Sequence, residues 1–220
     1  MTTPLLPQAF WFRTAFPCRR VEGIPRDKGR LLDLPDACAL PDLAAWEGRE
    51  SWGSARVGWN EAGLGIAFEV GGKVGQISPE WERPSGADGV QVYVDTRDTR
   101  TVHRATRFCH RFAATVRPAS GKALAVEVAS KPIARAVADA PMARPQTIAA
   151  RAERTVSGYR LELFFPAEVL HGFDPETNRR LGFFYILNDP DRGEQGLGVG
   201  REFPVGEDPS LWSVLQLQDA

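Results

Sequence analysis

Short hydrophobic runs punctuated by Pro, Gly, Asn and Asp set the rhythm of this chain, and within several runs apolar and polar side chains alternate. In the segment GYRLELFF, Tyr159, Leu161 and Leu163 share one face of an extended strand, whereas Arg160 and Glu162 share the other. Such alternation predicts a sheet with one buried face. Runs of this kind predict ten strands, at 8–16, 54–59, 64–70, 89–95, 107–117, 123–130, 147–154, 158–165, 180–188 and 213–217. In VGWNEAGLGIAFEV, residues 60–63 supply the turn between two hydrophobic runs, so those strands pair as an antiparallel hairpin.

Helical character is confined to two short stretches, 133–139 before Pro141 and one or two turns after Pro166. Without a strand-helix-strand alternation a parallel sheet is not expected. The pattern therefore predicts an all-β fold, an antiparallel, jelly-roll-like β-sandwich, in a single domain over residues 1–220. A polar, Pro-flanked loop at 138–146 is its weakest point.

Charge narrows the partners. With 27 basic and 28 acidic residues among 220, the net charge of -1 provides no field for a nucleic-acid backbone. Hydrophobic residues make up 43% of the chain, enough for a packed core, but no run of about 18 apolar residues could span a bilayer. Pro4, Pro7, Gln8 and Arg13 interrupt any apolar export leader at the N-terminus. Cys18, Cys38 and Cys109 cannot all pair and lack metal-ligand spacing, which favours a reducing, cytoplasmic setting.

Four segments, in order, carry a resemblance: ARVGWNEAGLGIAFEV, WERPSGADGVQVYVDTRD, SGYRLELFFPAEVL and RLGFFYILNDPD. Over residues 54–217 they resemble the family 9 carbohydrate-binding modules and the wider DOMON-like β-sandwich group. That resemblance implies a non-catalytic domain that holds the end of an oligo- or polysaccharide between two aromatic faces, aided by polar side chains from neighbouring strands. Trp81 matches the first platform, and Gln91 and Arg111 match the hydroxyl-binding positions. Where a second platform belongs, the sequence reads GVGREFPVGEDPSLW, with Phe203 the sole aromatic before Trp212, and Trp212 reads as core. The expectation thus includes a module whose sugar site is altered or lost.

The residues support this chemistry on their own terms. Trp81 lies in a Pro- and Gly-bounded loop without adjacent apolar residues. There it can offer its indole face to the C–H face of a pyranose or fold onto the sandwich edge. Gln91 and Arg111 carry donors for sugar hydroxyls, but equally suit solvated strand positions or structural ion pairs. Their neighbours Val90, Val92 and Val94 alternate toward the opposite face.

Other constellations lead elsewhere. The segment DTRDTRTVHRATRFCHR reads as a basic hairpin, with Arg97, Arg100, Arg104 and Arg107 as an alternative anion or acidic-sugar site. His103, His110 and Cys109 lack chelating spacing. Asp189 and Asp191 suit Asx turns, with structural calcium, which the resembling modules bind, as the alternative. Some DOMON relatives hold haem through Met and His, for which Met142 and His171 are the candidates. Ser157-Gly158 precedes a strand instead of forming a nucleophile elbow, and Glu127 and Glu162 are the in-strand acids a glycosidase would need. The preferred reading is therefore a non-enzyme without cofactor that binds carbohydrate. Its main alternative is a structural or protein-interaction sandwich.

Overall fold

The computed structural model describes residues 14–46, 48–78, 87–99 and 103–219. Among them are eleven strands: β1 (Ala15–Arg20), β2 (Gly53–Asn60), β3 (Gly63–Val70), β4 (Gly89–Asp95), β5 (Cys109–Pro118) and β6 (Ala123–Lys131) in the first part of the chain. They continue with β7 (Ala149–Arg154), β8 (Tyr159–Pro166), β9 (Arg180–Asp189), β10 (Gly193–Gly196) and β11 (Ser213–Gln218). The order β10-β9-β11-β1-β2-β3-β8-β7-β6-β5-β4 is closed by a further pairing of β9 with β4. The chain is thus an all-β sandwich whose sheet curls back on itself.

The hairpin expected at residues 60–63 forms, with Asn60 opposite Gly63. Asn60 fixes it: its Oδ1 accepts the Ala62 N–H at 3.0 Å and its Nδ2 donates to the Ile24 carbonyl at 2.7 Å. Inward side chains from facing strands then meet in the core. Phe112 of β5 packs on Phe165 of β8 with ring centroids 4.6 Å apart, and Phe68 of β3 meets Tyr185 of β9 edge-on at 5.2 Å.

Five expectations require correction. Residues 8–13 of the strand expected at 8–16 lie outside the described residues; β1 pairs in parallel with both β11 and β2, although the other described strand pairs are antiparallel. β10, in a segment that reads as loop, is a strand because Gly193–Gly196 folds back onto β9. Residues 133–139 form turns, not a helix, since the chain must leave β6 and cross toward β7.

The remaining two corrections concern the burial of faces and the fate of Glu162. The sheet is covered on its outer side as well: Ile24, Leu31, Leu32 and Leu34 pack over Ala67 and Phe164. Glu162 on that outer face is buried, not solvated. Its carboxylate accepts the backbone N–H of Leu31 at 2.7 Å and ties the covering segment down.

Candidate functional site

Strand register assembles a polar cluster on the face of β4 opposite Val90, Val92 and Val94. Pairing of β4 with β5 sets Arg111 directly across from Tyr93, and Gln91 lies two residues along β4 on the same face. Arg111 Nη2 donates to Gln91 Oε1 at 2.8 Å, and the Tyr93 hydroxyl donates to the same oxygen at 3.1 Å. Both lone pairs of that oxygen are engaged, so the amide is oriented with its NH2 left over. That NH2 has no hydrogen-bond partner among the described residues. Val90, Val92 and Val94 point into the core, as their alternation predicts.

Tyr93 is the foundation of this cluster. Its ring is buried, tilted against Trp212 at 5.4 Å and Phe184 at 6.2 Å, with the Arg111 guanidinium 5.8 Å from its centroid. Burial raises the Tyr93 pKa against the opposing pull of Arg111 and Arg201, so the hydroxyl stays neutral. The segment before β11 passes close: a Cβ placed on Gly206 would lie 3.3 Å from the Tyr93 hydroxyl. Trp212 at the end of that segment is core, its indole N–H donating to the Val205 carbonyl at 2.7 Å.

The structure therefore brings Gln91 and Arg111 together, buries Gln91 instead of leaving it solvated, and adds Tyr93. Tyr93 was detectable in GVQVYVD as the polar-tipped residue two places from Gln91 on the same face. Phe203 is half-buried and packs against the main core. Trp81 lies outside the described residues.

No family model matches the sequence, and no curated protein matches it either. Solved structures do. A family 9 carbohydrate-binding module from Caldicellulosiruptor kristjanssonii in complex with cellotriose superposes with a TM-score of 0.60 at 12% identity, covering 94% of this chain and 95% of that one. The glucose complex of a family 9 module from the same organism gives the same TM-score and identity over 94% and 97%. This chain has the family 9 carbohydrate-binding module fold.

Within the module fold, the other polar constellations have structural partners. Arg104 donates to the carbonyl of Arg135 at 2.7 Å, and Arg97 and Arg107 each stand 5.0 Å from the Phe108 ring. Arg100 lies outside the described residues. His110 is buried, and desolvation lowers its pKa to about 4. His171 stacks on Phe108 at 5.2 Å and Met142 is exposed.

Asp189 accepts the Asp191 N–H at 2.9 Å in the expected Asx turn. The ammonium of Lys73 lies 2.7 Å from Asp88, 3.2 Å from Asp189 and 3.9 Å from Asp191. A cation of the protein's own thus occupies the centre of these carboxylates.

Two further arrangements place acids and a histidine together with partners. Glu127 is paired with Arg117, and Glu162 accepts the backbone N–H groups of Leu31 and Asp33. His103 meets Asp208 and Ser210, each at 3.1 Å, but both contacts are to Nδ1. A relay needs nucleophile and carboxylate on opposite ring nitrogens.

Proposed function

We propose that this module-fold protein binds a glycan without acting on it, at the polar cluster of Gln91 and Arg111 built over Tyr93. One observation carries the reading: a buried carboxamide is held by two donors on its oxygen, so that its NH2 group remains for a ligand acceptor. Sugar hydroxyls accept from amides and guanidinium groups, and a preset side chain loses little freedom on binding. The glucose and cellotriose complexes of the similar modules make these sugars the first candidates. Trp81, which precedes β4 in the sequence, is proposed as the stacking platform.

Titration calorimetry with cellotriose and glucose tests the assignment. Gln91→Ala and Trp81→Ala should each weaken binding about tenfold or more, the scale expected for one hydrogen-bonding or stacking anchor. Wild-type affinity in both variants would move the site elsewhere.

A second reading, a protein-interaction sandwich, is favoured by a separate feature. β6 pairs with β7 only through Ala123 and Leu124, and beyond them the strands part around a groove of about 460 Å³ lined by Val126, Val128, Ile148 and Ala150. An unpaired strand edge can accept an extended peptide.

A further inference from the structure

The charge distribution on the same face leads beyond a neutral sugar. Register places Lys131 of β6 directly opposite Arg111 of β5, so two cations share one face at a paired position. Like charges directly opposite are destabilising unless something neutralises them. Arg111, Lys131 and Pro132 line one cleft together with Asp139, the acid at hand. Asp139 forms no ion pair with either cation among the described residues.

Arg111 differs from the other half-buried arginines. Arg20 pairs with Glu22 and Glu61, Arg56 with Asp36, Arg160 with Glu69 and Arg179 with Asp219. Arg192 donates to two backbone carbonyls, those of Gly71 and Gly72. Arg111 faces a neutral amide, a phenol ring and, at 3.4 Å, the Pro132 carbonyl, and its buried Nε has no partner. Its charge is partly desolvated and uncompensated. The acid whose charge acts on Tyr93, Glu194, is already paired with Arg201.

We infer that the ligand of this face is an acidic glycan, a sugar whose carboxylate is neutralised by Arg111 and Lys131 while its hydroxyls meet Gln91. The inference rests on the glycan-binding reading above and adds the charge of the ligand. A planar guanidinium suits a carboxylate, and charge-assisted hydrogen bonds are roughly twice as strong as neutral ones. Steering by two cations also makes binding sensitive to ionic strength.

Cellobiuronic acid and cellobiose, which differ by one carboxylate, provide the test by calorimetry at low and high salt, with sodium acetate as the free-anion control. The acid should bind about tenfold or more tightly than cellobiose at low salt, and the preference should shrink as salt rises. Arg111→Gln should abolish the preference. Lys131→Gln, at an exposed position, should reduce it severalfold without touching the fold, which keeps the test valid if the Arg111 variant is unstable.

Equal affinity for acid and neutral sugar would overturn the acidic-glycan inference and leave the glycan-binding reading intact. Failure of both sugars to bind would overturn both. Acetate competing as effectively as the uronide would reduce the site to one for small anions.

Discussion

At the scale of single residues, Lys73 shows how far burial can depart from what a sequence suggests. It stands in the polar segment GGKVG, yet its side chain is 4% exposed and its ammonium lies among Asp88, Asp189 and Asp191. Burial disfavours the charge, but the hydrogen bonds and charges of Asp88 and Asp189 outweigh it and raise the lysine pKa. Replacing Lys73 with Met would leave two fully buried carboxylates without a counter-charge, at a cost of about 3 to 5 kcal/mol. Urea denaturation should show that loss at neutral pH. A midpoint unchanged from wild type would mean that the carboxylates find water or another partner. The side of β4 on which Gln91 lies was legible, because alternation sets it opposite Val90, Val92 and Val94. The burial of Lys73 was not, because its partners lie just before β4 and at the end of β9, and no local pattern announces them.

At the scale of elements, strand positions were legible and strand neighbours were not. β4 coincides with its expected span and β2, β3 and β8 lie within a residue of theirs, since alternation and flanking turn residues are local signals. β10 escaped because it is four residues long and lacks an apolar run, and β1's parallel pairing escaped because both partners are distant in sequence. The site depends on the register of β4 against β5, and Gly89 opens that ladder. A Cβ there would fall 2.1 Å from the Ala114 carbonyl oxygen, a backbone atom that cannot step aside without opening the pairing. Gly89→Ala should therefore destabilise the fold by about 1 to 3 kcal/mol through overpacking. Thermal melting checks the loss, and a melting temperature equal to wild type would place the start of this ladder under less constraint than the contact implies.

At the scale of the whole molecule, the sandwich class was legible in the sequence, but the closure of the sheet was not. Closure depends on β4 meeting β9, strands separated by some ninety positions of chain, and nothing in either run specifies the partner. Its consequence is an uneven distribution of stability. β9 lies between β4 on one side and β11 and β10 on the other, and β4 between β9 and β5, so their amides are locked on both flanks. β6 is locked to β5 along its length but to β7 only at Ala123 and Leu124.

Hydrogen exchange followed by NMR should separate these regions. Amides of β4 and β9 should exchange only on global unfolding, whereas those of residues 125–130 that point away from β5 should exchange through local opening, orders of magnitude faster. Glycan binding at Gln91 and Arg111 should protect β4 and β5 and leave the groove-facing β6 amides fast. A partner strand docked on the β6 edge would slow those same amides. Protection confined to the groove on adding a peptide, with no response to sugars, would favour the interaction reading over the glycan one. Uniform slow exchange throughout β6 would show that the groove is closed in solution.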